Sequence, residues 1–136
     1  MLQLSLDTRR DAAAHYALAR QLRPLRDEGV LILGSGNIVH NLRRMDWHLH
    51  EGVFSWASRF NNRVRRLLLE QDVEGLCQLD DDDARLAVPS PEHYLPLLYV
   101  VAVQDAGEFL TLLNDHIDYG SISMLSAWVG HMKPAP

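Results

Sequence analysis

The stretch Val30–His40, VLILGSGNIVH, runs a short β-rich segment straight into a glycine–serine–glycine turn and then a histidine. Apolar residues Val30 to Leu33, bounded by Gly29 and Gly34, suit a strand buried on both faces. Just upstream, Asp11 to about Leu22 has helical spacing, with Ala14, Leu18, Leu22 and Leu25 on one stripe. Pro24 is expected to kink or end that helix, and Gly29 to stop the element. Further back, Leu2, Leu4 and Leu6 alternate with Gln3 and Ser5, the pattern of a strand with one buried face. Strand, helix and strand within about thirty residues is the signature of a parallel α/β unit. The expected fold is α/β, a central, mostly parallel or mixed sheet flanked by helices.

Composition bounds the function classes. At 136 residues, 47% hydrophobic and 23% charged, the chain fits one ordinary globular domain. A formal net charge of -5 gives no reason to expect nucleic acid, which calls for a concentrated basic face. Arg59, Arg63, Arg65 and Arg66 cluster, but read as the wet side of a helix. Cys77 is the only cysteine, which rules out an internal disulfide and a thiolate zinc site and fits a reducing compartment. No basic stretch leads into an apolar one at the N-terminus, and the apolar runs are too short to span a bilayer. The expectation is a cytoplasmic protein with no membrane association.

Downstream, Trp56, Phe60, Val64 and Leu67 mark a second amphipathic helix over roughly Ser55–Gln71, and Val73–Leu79 a short extra one. The run Asp80–Asp83 reads as a solvated polar loop in which adjacent carboxylates repel, not as a cation site. In VPSPEHYLPLLYVVAV, Val88–Val103, a helix starting near Glu92 or His93 places Pro96 in the first turn, where no donor is missed. Phe109–Leu113 and Ser121–Val129 read as two more strands, and residues 131–136 as a loose tail.

Two histidines stand out. His40 lies just past the C-terminal end of the Val30–Leu33 run, where open α/β sheets build their sites. There it has three readings: a general acid or base, a metal ligand, or a histidine bonded into its own loop. His93 sits at the mouth of an apolar helix behind Pro89 and Pro91, and stiff backbone on both sides suits a metal ligand. Glu92 adds a neighbouring carboxylate. The Gly34–Ser35–Gly36 turn could expose N–H groups to an anion, but it is neither GxGxxG nor a P-loop, and a plain tight turn accounts for it. His15, His48, His50 and His116 read as surface residues.

At GSGNIVHNLRRMDW, Gly34–Trp47, and PSPEHYLPLLYV, Pro89–Val100, the sequence resembles the C-terminal half of the DODA-type extradiol ring-opening dioxygenases. These are the LigB-like, class III group of non-haem iron enzymes. LQLSLD, LRDEGVLILGSGN and GSISMLS match that family's run of elements in order, so the resemblance covers nearly the whole chain. It implies an α/β domain, here a partial C-terminal portion over residues 1–130. It also implies opening of a catechol such as 3,4-dihydroxyphenylalanine by O2, with Fe(II) as cofactor and zinc often present in purified protein.

By motif, the resemblance makes His40 the acid–base residue and, in some descriptions, a metal ligand. His93 becomes a metal ligand, and Asn37 and Asn41 shape the loop or touch substrate. Family members are about twice this length, and two further metal histidines lie in segments like GHGSP and SAHW, neither of which occurs in this sequence. The expected partners are therefore a small aromatic diol, O2, and either a complementing N-terminal half or further copies of the chain. Two rivals remain open at this stage. One is a truncated, non-catalytic relative that associates through unpaired strand edges; the other is an anion-binding module built on the GSGN loop.

Overall fold

Asp11 opens the first helix, its carboxylate accepting the Ala14 N–H at 2.7 Å, and α1 runs Ala12–Arg20. Pro24 then starts the short α2, Pro24–Asp27, at the position where its missing N–H costs nothing. The computed structural model describes residues 1–49 and 52–131, so His50 and all but the first residue of the expected tail fall outside the description. The buried face of α1 is Ala12, His15 and Ala19. It is turned by about one residue from the expected stripe, which is why Ala14 and Leu18 are only half-buried.

Helix α3, Ser55–Glu70, forms as the periodicity predicts and buries Phe60, Val64, Leu67 and Leu68 in the main core. Burial of four such side chains, at about 1.5–3 kcal/mol each, makes α3 the principal hydrophobic brace of the chain. Gln71, in the left-handed region at φ 56°, ends it. Asp72 caps α4, Val73–Cys77.

The aspartate run is not a solvated loop. Asp81 caps α5, Asp82–Ala87, by accepting the Ala84 N–H at 2.9 Å, and its other carboxylate oxygen pairs with Arg63 of α3. Asp83 accepts from Arg59 Nε and Nη2, each at 2.7 Å. Of the four arginines read as a wet face, Arg59 and Arg63 hold α5 on α3, while Arg65 and Arg66 stay exposed and pair with Asp115 and Glu70. Beyond α5, Pro91–His93 forms one 3-10 turn, and α6, Leu95–Ala102, follows with Pro96 in its first turn. The α-helix thus starts two to three residues later than the expected Glu92 or His93, with Pro96 in its first turn as expected.

The sheet differs from expectation. Strand β1, Phe109–Leu113, pairs antiparallel with β4, Ser126–Gly130, and β2, Ile117–Asp118, pairs antiparallel with β3, Ile122–Ser123. Ser121–Val129, expected as one strand, is therefore two elements, and the β2–β3 hairpin was not anticipated. Leu2–Leu6 and Val30–Leu33 do not form strands, and no parallel ladder forms among the described residues; Val53 and Gly120 make only a single parallel bridge. The α/β class holds, but the central parallel sheet does not form. The physical reason is that a strand needs a neighbour to satisfy its N–H and C=O groups, and these two segments have none beside them. Leu31 and Leu33, expected in a buried strand, are 73% and 79% exposed.

His15 is also a correction: it is fully buried between α1 and α6, not on the surface. Asp7 O, 3.0 Å from Nε2, can only accept, so Nε2 carries the proton and Nδ1 accepts from the Tyr99 hydroxyl at 2.9 Å. The histidine thereby ties the N-terminal segment to both helices.

Candidate active site

The segment Asn37–Asn41 is held on three sides by main chain. Asn37 N–H donates to His93 O, His40 N–H to Ala87 O, and Ser123 N–H to Val39 O, each at 2.9 Å. His40 also bridges to Ile122. This loop, the end of α5 and the turn before α6 therefore meet at one point, which brings His40 and His93 together across 53 positions of sequence (93 − 40). Their ring centroids lie 5.0 Å apart with an edge-to-face tilt of 62°.

The glycines of the turn serve this approach. Neither Gly34 nor Gly36 has positive φ, so no left-handed turn requires them. A Cβ on Gly36 would run into the His93 carbonyl oxygen, and one on Gly34 would stand 2.5 Å from the Pro96 oxygen. Glycine is needed because the loop packs its backbone directly on the first turns of α6. This replaces both the tight-turn and the anion-loop readings with a positioning role: Gly36 and Asn37 fix where His93 stands.

The two histidines differ in environment. His40 is buried, and its Nδ1 and Nε2 lie 3.0 Å from the carbonyls of Asn37 and Ser90 respectively. Burial pushes its pKa below the ordinary value, opposed by the two carbonyls, which favour the protonated ring. A neutral imidazole donates from only one nitrogen, so only one of the two carbonyls receives a hydrogen bond while the ring is neutral. His93 is exposed. Glu92 accepts the Ser90 hydroxyl at 2.6 Å, and that hydrogen bond holds its carboxyl below the usual range.

A shallow cleft of about 120 Å³ opens beside His93, lined by Gly34, Gly36, Asn37, Leu97, Leu125 and neighbouring residues. Of the four residues singled out from sequence, the structure brings Asn37 and His93 into this cleft and sets the His40 ring against His93. Asn41 is buried, its amide donating to Leu86 O at 2.8 Å. The Asn37 amide donates to Ser123 O at 2.7 Å. The sequence did not single out Ser90 or Ser123, whose main-chain oxygens anchor His40 and Asn37; the only signal was Ser90's place between the two prolines.

Known proteins agree with the chain over nearly its whole length. Residues 2–130 match the family described as the catalytic LigB subunit of aromatic ring-opening dioxygenase. The chain belongs to the LigB family. Relatives named 4,5-DOPA dioxygenase extradiol include one from Escherichia coli K12, 44% identical over 134 residues, covering 96% of this chain and 49% of the relative. One from Portulaca grandiflora is 34% identical over 127 residues, covering 91% and 46%. A crystal structure of an uncharacterized Escherichia coli K12 protein superposes with a TM-score of 0.82 at 43% identity, over 90% of this chain and 52% of that one. The LigB chain thus spans about half the length of the curated relatives it matches. The extradiol dioxygenases of this family are metal-dependent oxidoreductases that act on aromatic rings.

The donor set of the LigB chain fits such a metal only in part. Among the described residues no three His, Cys, Asp or Glu side chains gather to hold an ion. His93 has an exposed ring to offer, whereas His40 would have to release a carbonyl first.

Proposed function

We propose that this LigB chain supplies one wall of an extradiol ring-cleavage site, over residues 1–130, and is active once the remaining half of the domain completes that site. The observation that carries the reading is the pair His40–His93, edge to face at 5.0 Å beside a cleft of about 120 Å³. Sites for small molecules enclose roughly 300–1,000 Å³, so this cleft is one side of a pocket, as a half-domain would present. The substrate class is a catechol, with 3,4-dihydroxyphenylalanine as the first candidate because the relatives carry the name 4,5-DOPA dioxygenase extradiol.

His93 is the residue this chain offers to a divalent metal, Fe(II) in the working enzyme. Bound there, the metal would supply open positions for both substrate oxygens and for O2, which requires that the protein fill only about three. His40 handles the proton. Burial lowers the pKa of its ring, and in the tautomer that carries the proton on Nδ1 that nitrogen donates to Asn37 O and leaves Nε2 as the base. When Nε2 turns from Ser90 O toward the cleft, it can take the proton of a catechol hydroxyl and return it after cleavage. A metal-ligand role for His40 would compete with that same nitrogen, so acid–base work is the role assigned. Asn37 lines the cleft with its amide fixed by Ser123 and orients the substrate edge; Asn41 shapes the loop behind it. No helix among the described residues is long and apolar enough to cross a membrane.

The test is oxygen uptake with a catechol. The chain co-expressed with the other half of the domain should consume O2 and form the coloured ring-opened product; the chain alone should not. A second reading, a non-catalytic relative acting through self-association, is favoured by the exposed Leu31 and Leu33. It predicts a stable oligomer and no uptake under any complementation.

A further inference from the structure

Among the described residues, Leu31 to Gly34 belong to no helix or strand and make no backbone hydrogen bond to another segment, and together with β4 they line an open groove of about 620 Å³. Val100 of α6 and Val103, just past its end, line the groove with the Arg26–Glu108 pair. Among the described residues, strand β4 pairs with β1 alone, and Ala127 to Gly130 line the groove.

We propose that this groove is a strand-acceptor site, filled by an extended apolar segment of the half of the LigB domain that this sequence does not span. The proposal rests on the shared-site reading above and adds where the two halves join. Two unpaired edges facing one space can both be satisfied by a single inserted strand, which gains a ladder on each side. Leu31 and Leu33 alternate onto one exposed face while Ile32 is half-buried, the pattern of a strand whose outer face awaits a cover. The relatives have about as much chain again as this one, so the material to fill the groove exists in the intact domain. Gly34, Val100 and Ala127 line both the groove and the His93 cleft. A strand seated there therefore ends beside His93 and carries its own side chains to the missing wall. The segment it requires is extended, apolar on alternate positions and free of proline.

The experiment is amide hydrogen exchange on the full chain, alone and co-expressed with the part of the Escherichia coli relative outside the matched stretch. The expected result is a complex of one copy of each, with new protection at Leu31–Leu33 and Ala127–Val129. Replacing Leu31 and Leu33 together by lysine should weaken the complex at least tenfold; both side chains are exposed, so the fold of the free chain is kept. Four results overturn the proposal: no complex, a complex without protection at these amides, unchanged affinity in the double variant, or the same protection in the chain alone rising with its concentration. The last would mean that a second copy fills the groove, for example with its exposed Leu2–Ser5 segment. His93→Ala separates the two readings, because it should leave complex and protection intact while abolishing ring cleavage. Ring cleavage by a complex without groove protection would leave the catalytic reading standing and this one fallen.

Discussion

Gly36 lies flush against the main chain of His93: the next N–H, that of Asn37, donates to the His93 carbonyl at 2.9 Å, and a Cβ on Gly36 would collide with that same oxygen. The glycine is thus a spacing device for the histidine that follows it by 57 positions (93 − 36).

Gly36→Ala is expected to push the loop off α6 and destabilise the chain by about 1–3 kcal/mol, the range for forced overpacking. Ser35→Ala, at an exposed neighbour, should stay within about 0.5 kcal/mol. Urea midpoints of the two variants check this; equal midpoints would mean that the loop yields freely.

The buried His15–Tyr99 pair predicts a specific cost. Tyr99→Phe removes the hydroxyl that serves Nδ1 and leaves a buried acceptor unmet, worth about 1–3 kcal/mol. His48→Ala, at an exposed side chain, should be close to neutral. Thermal or urea unfolding distinguishes them.

Glu108 gives a pH dependence. Its carboxylate is nearly inaccessible, takes both Arg26 terminal nitrogens at 2.6 Å, and is held down at about 2, chiefly by that hydrogen-bonded pair. A folded pKa below the unfolded value of about 4.3 means the stabilisation is complete above the unfolded pKa. It is then lost as pH falls from about 4.3 toward 2. Unfolding free energies measured against pH should converge for wild type and Glu108→Gln at the acid end and separate as pH rises through that window. Parallel curves would contradict the assignment.

Asp81 and Asp80 should part company although they are neighbours in one acidic run. Asp81→Ala removes the cap of α5 and a partner of Arg63, at a cost of about 0.5–2 kcal/mol. Asp80 is exposed, and Asp80→Ala should cost little. Calorimetry on the two variants reads the difference.

Much of the helical frame was legible in the sequence because it rests on local signals. Amphipathic spacing marked α3, Asp11 marked the start of α1, and the Pro91–Pro96 spacing put His93 at the mouth of α6. What failed depended on distant chain. Leu2–Leu6 and Val30–Leu33 have strand patterns, but a pattern cannot supply the neighbour that makes a ladder. The burial of His15 depends on Tyr99, 84 positions away, and the roles of Asp81 and Asp83 depend on arginines two helices earlier. At the site, residue types and motif spacing singled out His40 and His93. Their contact, and the Ser90 and Asn37 carbonyls that lie against the two His40 nitrogens, required the fold.

The central claim is that His93 is this chain's metal-binding contribution to a ring-cleavage site. The most direct measurement is metal content and ring-cleavage rate of the complemented enzyme, wild type against His93→Ala. Because the His93 ring is exposed, the variant should fold as the wild type does, lose roughly 10–100-fold or more in metal affinity, and lose ring cleavage with it. Full metal occupancy and undiminished cleavage in His93→Ala would contradict the account.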